Sequence, residues 1–203
     1  NIGLSVFSLL GAAHTVPQLI ETINTYGFAT ATCDNRLYYT STGYWVYWFC
    51  MSKTWEFVDT VFLRLKKRPV ILLHWYHHIC TMSYCVHGTW GIVHGADASG
   101  WFFAAINLCV HTIMYAYYAL ASAGLHKPLQ RMGADMVITS LQITQMVVGV
   151  CVLLYSAGCP TVNLVSWRWG IVMYLSYVVL FADMARNKYC SRKAGDKKGK
   201  KRD

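Results

Sequence analysis

Three histidines, His74, His77 and His78, stand in HWYHH, and i, i+3, i+4 spacing puts all three imidazoles on one face of a helix. Three imidazoles this close in a low-dielectric setting do not all carry a proton. At least one is expected neutral, hence nucleophilic or basic, near pH 7. A second cluster, KTWEFVDT, supplies Lys53, Glu56, Asp59 and Thr60. At about 100° per residue, Lys53, Glu56 and Thr60 share a face, with Asp59 at its margin. A third, NLCVHTIMYAYY, aligns Asn107, His111, Met114 and Tyr118 on one stripe beside Tyr115 and Tyr117. A fourth, TSLQITQ, brings Thr139, Gln142 and Gln145. Each has a plainer reading. A lone buried His is usually a satisfied hydrogen bond, an Asn or Gln can be helix-packing glue, and Lys53 with Glu56 or Asp59 can be an ion pair that fixes packing.

The elements that carry these clusters are apolar. Hydrophobic residues make up 55% of the 203-residue chain, charged residues only 13%, and mean hydropathy is +0.32. A soluble surface needs more charge than this. A bilayer core of about 30 Å takes roughly 20 apolar residues in a helix, and six segments meet or approach that length: 1–20, 43–63, 70–88, 99–121, 133–156 and 165–186. Gly43, Pro69, Gly100 and Gly133 sit near their starts, Gly124 and Gly158 after two of their ends, as helix punctuation should. The expectation is an all-α polytopic membrane protein, with residues 1–186 as one transmembrane domain and 187–203 as a basic tail. The chain opens at Asn1 inside an apolar run without a signal-peptide pattern, and an N-terminal truncation is expected.

The net charge of +9 is concentrated at the end, where nine Lys/Arg against Asp196 and Asp203 leave +7 in the last eighteen residues. A basic tail next to a span reports orientation and attraction to anionic lipid rather than a nucleic-acid site. The 64–68 and 121–132 connections and the tail together hold fifteen Lys/Arg, and the alternate connections hold only Arg36 and Arg168. The first set is therefore expected on the cytosolic side. Cys33 and Cys159 fall in separate connections on the other side. If that side is oxidising they are placed to form a disulfide, the alternative being two unpaired thiols.

Ionisable groups inside a span are costly, about 2.5–3.5 kcal/mol each on insertion scales, so Lys53, Glu56 and Asp59 together cost roughly 8–10 kcal/mol before pairing. Depth joins the four clusters. Counted along the helices, Lys53, Glu56, His77, His111 and Gln142 all lie roughly 12–16 Å from the cytosolic ends. Packing devices need not agree in depth. A site enclosed by a helix bundle requires it.

Taken in order, KTWEFVDT, HWYHH, NLCVHTIMYAYY and TSLQITQM resemble the ELO (elongation of very-long-chain fatty acids) family of 3-ketoacyl-CoA synthases, over about residues 1–186. HxxHH alone is a weak signal; four motifs in sequence are specific. The resemblance implies seven spans, six of them a barrel around an acyl tunnel, of which this chain carries about six. It implies condensation of acyl-CoA with malonyl-CoA to 3-ketoacyl-CoA, CoA and carbon dioxide, in the endoplasmic reticulum membrane. HWYHH is similar to the subgroup acting on saturated and monounsaturated chains, and the terminal KKRD is similar to a di-lysine retrieval signal.

On that reading His77 attacks the thioester to give an acyl-imidazole, while His74, His78 and His111 orient it, shuttle protons or hold the malonyl carboxylate. Asn107, Gln142 and Gln145 are candidate donors to developing oxyanions. Lys53, Glu56, Asp59, Tyr115 and Tyr118 support the site, and Lys127, Arg131 and Arg186 are by location candidates to meet CoA phosphates, the plainer and favoured reading being that they only mark the cytosolic side. No metal or cofactor is implied, since acyl-CoA and malonyl-CoA are substrates. The implied partners are membrane lipid and the ketoacyl-CoA reductase, dehydratase and enoyl-CoA reductase of the elongation cycle. Two rivals are a membrane di-iron desaturase or hydroxylase, which needs more histidine boxes than this chain has, and an ion-coupled transporter, which suits intramembrane charges.

Overall fold

The structure, a computed structural model, describes residues 1–65, 67, 69–94 and 99–199; side chains at 59, 63, 89–94 and 190–199 are outside the description. Lys66, Arg68 and the terminal KKRD therefore lie outside the described residues. Those described form helices and connections without a strand. Six helices are long: α1 (Ile2–Cys33), α2 (Ser41–Leu65), α3 (Leu72–His94), α4 (Gly100–Leu120), α6 (Ala134–Ser156) and α7 (Leu164–Gly199). A short α5 (His126–Arg131) follows a wider turn over Ala121–Leu125.

Four of the six, Ile2–Cys33, Gly100–Arg131, Ala134–Ser156 and Leu164–Tyr189, are long and apolar enough to cross a membrane. The other two expected spans, α2 and α3, fall short of that apolarity because they carry KTWEFVDT and HWYHH; of these, Lys53, Glu56 and Thr60 are buried. The chain is a multi-pass membrane protein by this composition.

Two ends differ from expectation. The first span was expected to stop near residue 20, yet α1 continues to Cys33, broken at Gly27, whose φ of 85° lies where a side chain is strained. Thr22, Asn24 and Thr25 do not end the helix; the break falls at Gly27, and helical structure resumes beyond it. Likewise α7 runs on to Gly199 through the basic tail, since Lys and Arg are good helix formers.

Contacts run α2–α3–α7–α6–α4 and return to α2 both directly and through α1, so the helices enclose a space. Small residues let them approach closely. Gly11 of α1 lies where a Cβ would sit 3.0 Å from Leu108 of α4, and Gly149 of α6 lies under the Tyr174 ring of α7, leaving no room for any side chain. Polar ties cross the apolar contacts: Trp167 Nε1 donates to the Leu153 carbonyl at 2.7 Å, and Tyr76 Oη to Ser176 Oγ at 3.0 Å.

At one end of the bundle a disulfide joins Cys33 to Cys159, with Cα atoms 5.3 Å apart, within the range that disulfides use. Thr161 Oγ1 donates to the Cys33 carbonyl at 2.7 Å beside it. Arg36 donates to Asp34 in the same turn and holds its carboxyl below the ordinary range. Because α6 traverses the bundle from Gly133 to Cys159, this end lies opposite the 121–132 connection.

Candidate active site

Between α2, α3, α4, α6 and α7 lies a cavity of about 450 Å³, within the range of small-molecule sites. The four polar clusters meet on its wall. Glu56 comes from α2, His74, His77 and His78 from α3, Asn107, His111, Met114, Tyr115 and Tyr118 from α4, and Thr139, Gln142 and Gln145 from α6. Helical spacing explains each contribution, for residues three and four apart share a face.

Behind this wall is a buried polar network. Lys53 and Glu56 are 3% and 2% exposed. Lys53 Nζ donates to Glu56 Oε1 at 2.7 Å and to Asn107 Oδ1 at 2.9 Å, tying α2 to α4, and lies 4.3 Å from the centre of the Phe49 ring. His111 Nδ1 is 3.4 Å from the same Glu56 oxygen, as is Ser52 Oγ. A buried ion pair of this kind is costly unless every partner is well placed. Here that condition is met at Oε1, which takes the short bond from the ammonium shared with Asn107, while Oε2 has no hydrogen-bond partner among the described residues.

The histidine stripe is bounded by aromatics. His74 and His78 rings are 4.5 Å apart between centroids, and those of His77 and His78 are 5.4 Å apart. Tyr177 and Phe181 of α7 flank His77 at 4.8 and 6.1 Å. Tyr177 Oη donates to the His77 backbone carbonyl at 3.1 Å and shares a 2.8 Å hydrogen bond with Thr81. On α4 the His111, Tyr115 and Tyr118 rings follow one another at 5.3 and 6.4 Å. Gln142 Nε2 donates to Met114 Sδ at 3.2 Å, joining α6 to α4.

The wall differs in part from the set read in the sequence. Lys53 does not line the cavity; it acts from behind, because its short path to Glu56 and Asn107 satisfies the ammonium there. Lys127 and Arg131 are exposed on α5 and do not line it either, nor does Arg186. The side chain of Asp59 is outside the described residues.

Three polar residues not anticipated do line it: His126, Asp135 and Lys188. Lys188 Nζ lies 3.1 Å from Asp135 Oδ2, and Tyr189 Oη donates to the Asp135 carbonyl at 3.1 Å, with Thr139 Oγ1 at 3.2 Å. They occupy the end of the cavity next to the 121–132 connection. Lys188 is 42% exposed in its side chain, so this end is the open one. Among the described residues, no group of three or more His, Cys, Asp and Glu is arranged to hold a metal ion.

Residues 1–197 match the GNS1/SUR4 (ELO) family. The chain belongs to the ELO family. Among curated ELO relatives, this chain is 41% identical over 193 residues to very long chain fatty acid elongase 4 of Trypanosoma cruzi (strain CL Brener), covering 90% of this chain and 65% of that protein. It is 37% identical over 213 residues to fatty acid elongase 2 of the same organism, covering 95% and 72%. To very long chain fatty acid elongase 6 of Gallus gallus it is 39% identical over 188 residues, covering 89% and 68%. The chain thus spans 65% of the length of the Trypanosoma elongase 4, just under two thirds. No solved structure gives a significant match.

Proposed function

We propose that the protein lengthens fatty acyl-CoA by two carbons, condensing it with malonyl-CoA to give 3-ketoacyl-CoA, free CoA and carbon dioxide. The observation that carries this reading is the meeting of the histidine stripe, the Asn107–His111 stripe and the Gln142–Gln145 pair on one cavity between the helices. Membership of a family whose named relatives are fatty acid elongases supports it.

In the proposed course, the His77 imidazole attacks the acyl thioester and CoA leaves as its thiolate, which takes up a proton. The acyl group is held as an acyl-imidazole. Malonyl-CoA then loses carbon dioxide, and the C–C bond electrons become an enolate that attacks the acyl carbonyl. The new C–C bond releases His77 unchanged. Donors on Asn107, Gln142 and Gln145 are suited to the oxyanion of each tetrahedral step. The acyl chain runs from the histidines toward the disulfide end, and the CoA moiety remains at the end marked by His126, Asp135 and Lys188.

The Lys/Arg asymmetry supports a cytosolic C-terminus. The endoplasmic reticulum is the proposed membrane, with the reductases and the dehydratase of the cycle as partners. The test is expression of the gene in an elongase-deficient host, with membranes supplied with acyl-CoA and labelled malonyl-CoA. Label is expected in an acyl product two carbons longer, and His77→Ala abolishes it. Membranes that make no malonyl-CoA-dependent product, or a His77→Ala variant that elongates normally, overturn respectively the reading and the role of His77.

A further inference from the structure

We propose that Lys53 and Glu56 are positioning residues that set the hydrogen-bonding polarity of two cavity groups: the Asn107 amide is turned to offer Nδ2–H as a donor, and His111 is held as the Nδ1–H tautomer with Nε2 as an acceptor or base. The consequence for turnover rests on the function proposed above; the geometry does not.

The chemistry of an ammonium dictates the first half. Lys53 carries three donors and no acceptor, so the Asn107 atom it meets at 2.9 Å must be the amide oxygen. An amide whose oxygen is committed behind the wall has its NH₂ on the other prong, and Asn107 lines the cavity. The second half follows from the carboxylate. Ionised Glu56 only accepts, and Lys53 at 2.7 Å favours that ionised form. His111 Nδ1, 3.4 Å from Glu56 Oε1, is the ring nitrogen that faces this carboxylate, and a facing carboxylate favours the hydrogen on that nitrogen. A neutral imidazole protonated at Nδ1 has its lone pair on Nε2.

Glu56 Oε2 is buried without a hydrogen-bond partner among the described residues. The carboxylate is therefore held through Oε1 alone, and anything that moves Lys53 is felt at His111. One cation thus orients a donor and a base, both of them on α4, from a helix that places only Glu56 on the cavity wall.

The two roles separate in a double-mutant cycle on malonyl-CoA-dependent elongation. In the wild-type background Glu56→Gln is expected to lower kcat by about 10²-fold with the acyl-CoA KM within about threefold. In a His111→Ala background the same change is expected to lower the residual kcat by less than about threefold, because Glu56 acts through His111. Equal factors in both backgrounds, or an effect on KM alone, overturn the proposal.

A second measurement needs no turnover: nitrogen-15 NMR of the purified protein with labelled histidine, the His111 signal assigned by its absence from folded His111→Asn. An Nδ1–H, Nε2-unprotonated pattern is expected; an Nε2–H tautomer or an imidazolium overturns the proposal. A wild type that shows the expected tautomer yet no elongation sinks the proposed function and leaves this geometry standing.

Discussion

Tyr177 leans on His77 twice, its ring 4.8 Å away between centroids and its hydroxyl donating to the His77 backbone carbonyl at 3.1 Å. The tyrosine thus fixes both the side chain and the register of α3 against α7. The two contacts come apart on mutation. Tyr177→Phe keeps the ring and loses the hydroxyl's two hydrogen bonds, to the His77 carbonyl and to Thr81, at about 1–2 kcal/mol together. Tyr177→Ala also removes the wall beside the histidines, at about 3–5 kcal/mol. Thermal unfolding in detergent should show a small loss for the first and a large one for the second. Equal losses would mean that the ring does not support His77.

The Lys53–Glu56 pair invites a test of sign. Lys53→Met leaves a carboxylate buried without its cation, expected to cost about 3–5 kcal/mol. Replacing both residues, Lys53→Met with Glu56→Met, removes the stranded charge and should recover a large part of that loss. The double variant is therefore expected to melt above the single one, although it has lost more of the native contacts. If it melts below Lys53→Met, the pair contributes as packing and not as compensated charge.

The disulfide links residues 126 apart in sequence, closing α1 against the connection after α6. Long closed loops restrain the unfolded chain most, and a loss of about 2–4 kcal/mol is expected for Cys33→Ser, Cys159→Ser or both together. Reductant should lower the melting temperature of the wild type to that of the variants and leave the variants unchanged. A double variant as stable as the oxidised wild type would show the bridge to be dispensable.

Much of the site could be read before any coordinates. His74, His77 and His78 announce themselves by spacing, and Glu56, Asn107, His111, Gln142 and Gln145 by their cost in an apolar helix and by their common depth. Asp135 and Lys188 escaped for the opposite reason: each had an ordinary explanation. An acid in the first turn of α6 suits the helix dipole, and Lys188 looked like one more cation of a basic tail. Only the crossing of α6 and α7 shows that the two meet. The extent of α1 was hidden too, because the polar stretch from Glu21 to Thr25, with Asn24 and two threonines, imitates a loop although the helix runs through it to Gly27.

Gly149 provides a test of how tightly that crossing is built. Its Cα faces the Tyr174 ring, and a Cβ there would overlap ring carbons. Gly149→Val must push α6 off α7 or drive Tyr174 out of its place in the core, and overpacking of this kind costs about 1–3 kcal/mol or more. Adding Tyr174→Ala should restore part of the loss by opening the space. A Gly149→Val variant as stable as wild type would mean that α6 and α7 pack more loosely than the structure has them.

The mouth of the cavity separates cations that face the substrate from cations that only mark a membrane side. Lys188 lines the cavity and is shared with Asp135 at 3.1 Å, whereas Lys127 and Arg131 stand exposed on α5 without lining it. If the CoA phosphates dwell at this end, they compete with Asp135 for Lys188, and charge-assisted contacts of that kind are among the stronger ones. Lys188→Met is expected to raise the acyl-CoA KM by about tenfold with kcat nearly unchanged, the pattern of lost binding common to ground and transition states. Lys127→Met should stay within about twofold of wild type, since an exposed charge at a distance is largely screened. Asp135→Asn, which frees Lys188 from its acidic partner, should lower the KM. Saturation kinetics on the three variants decide the matter, and equal effects at Lys188 and Lys127 would return Lys188 to the role of a topological marker.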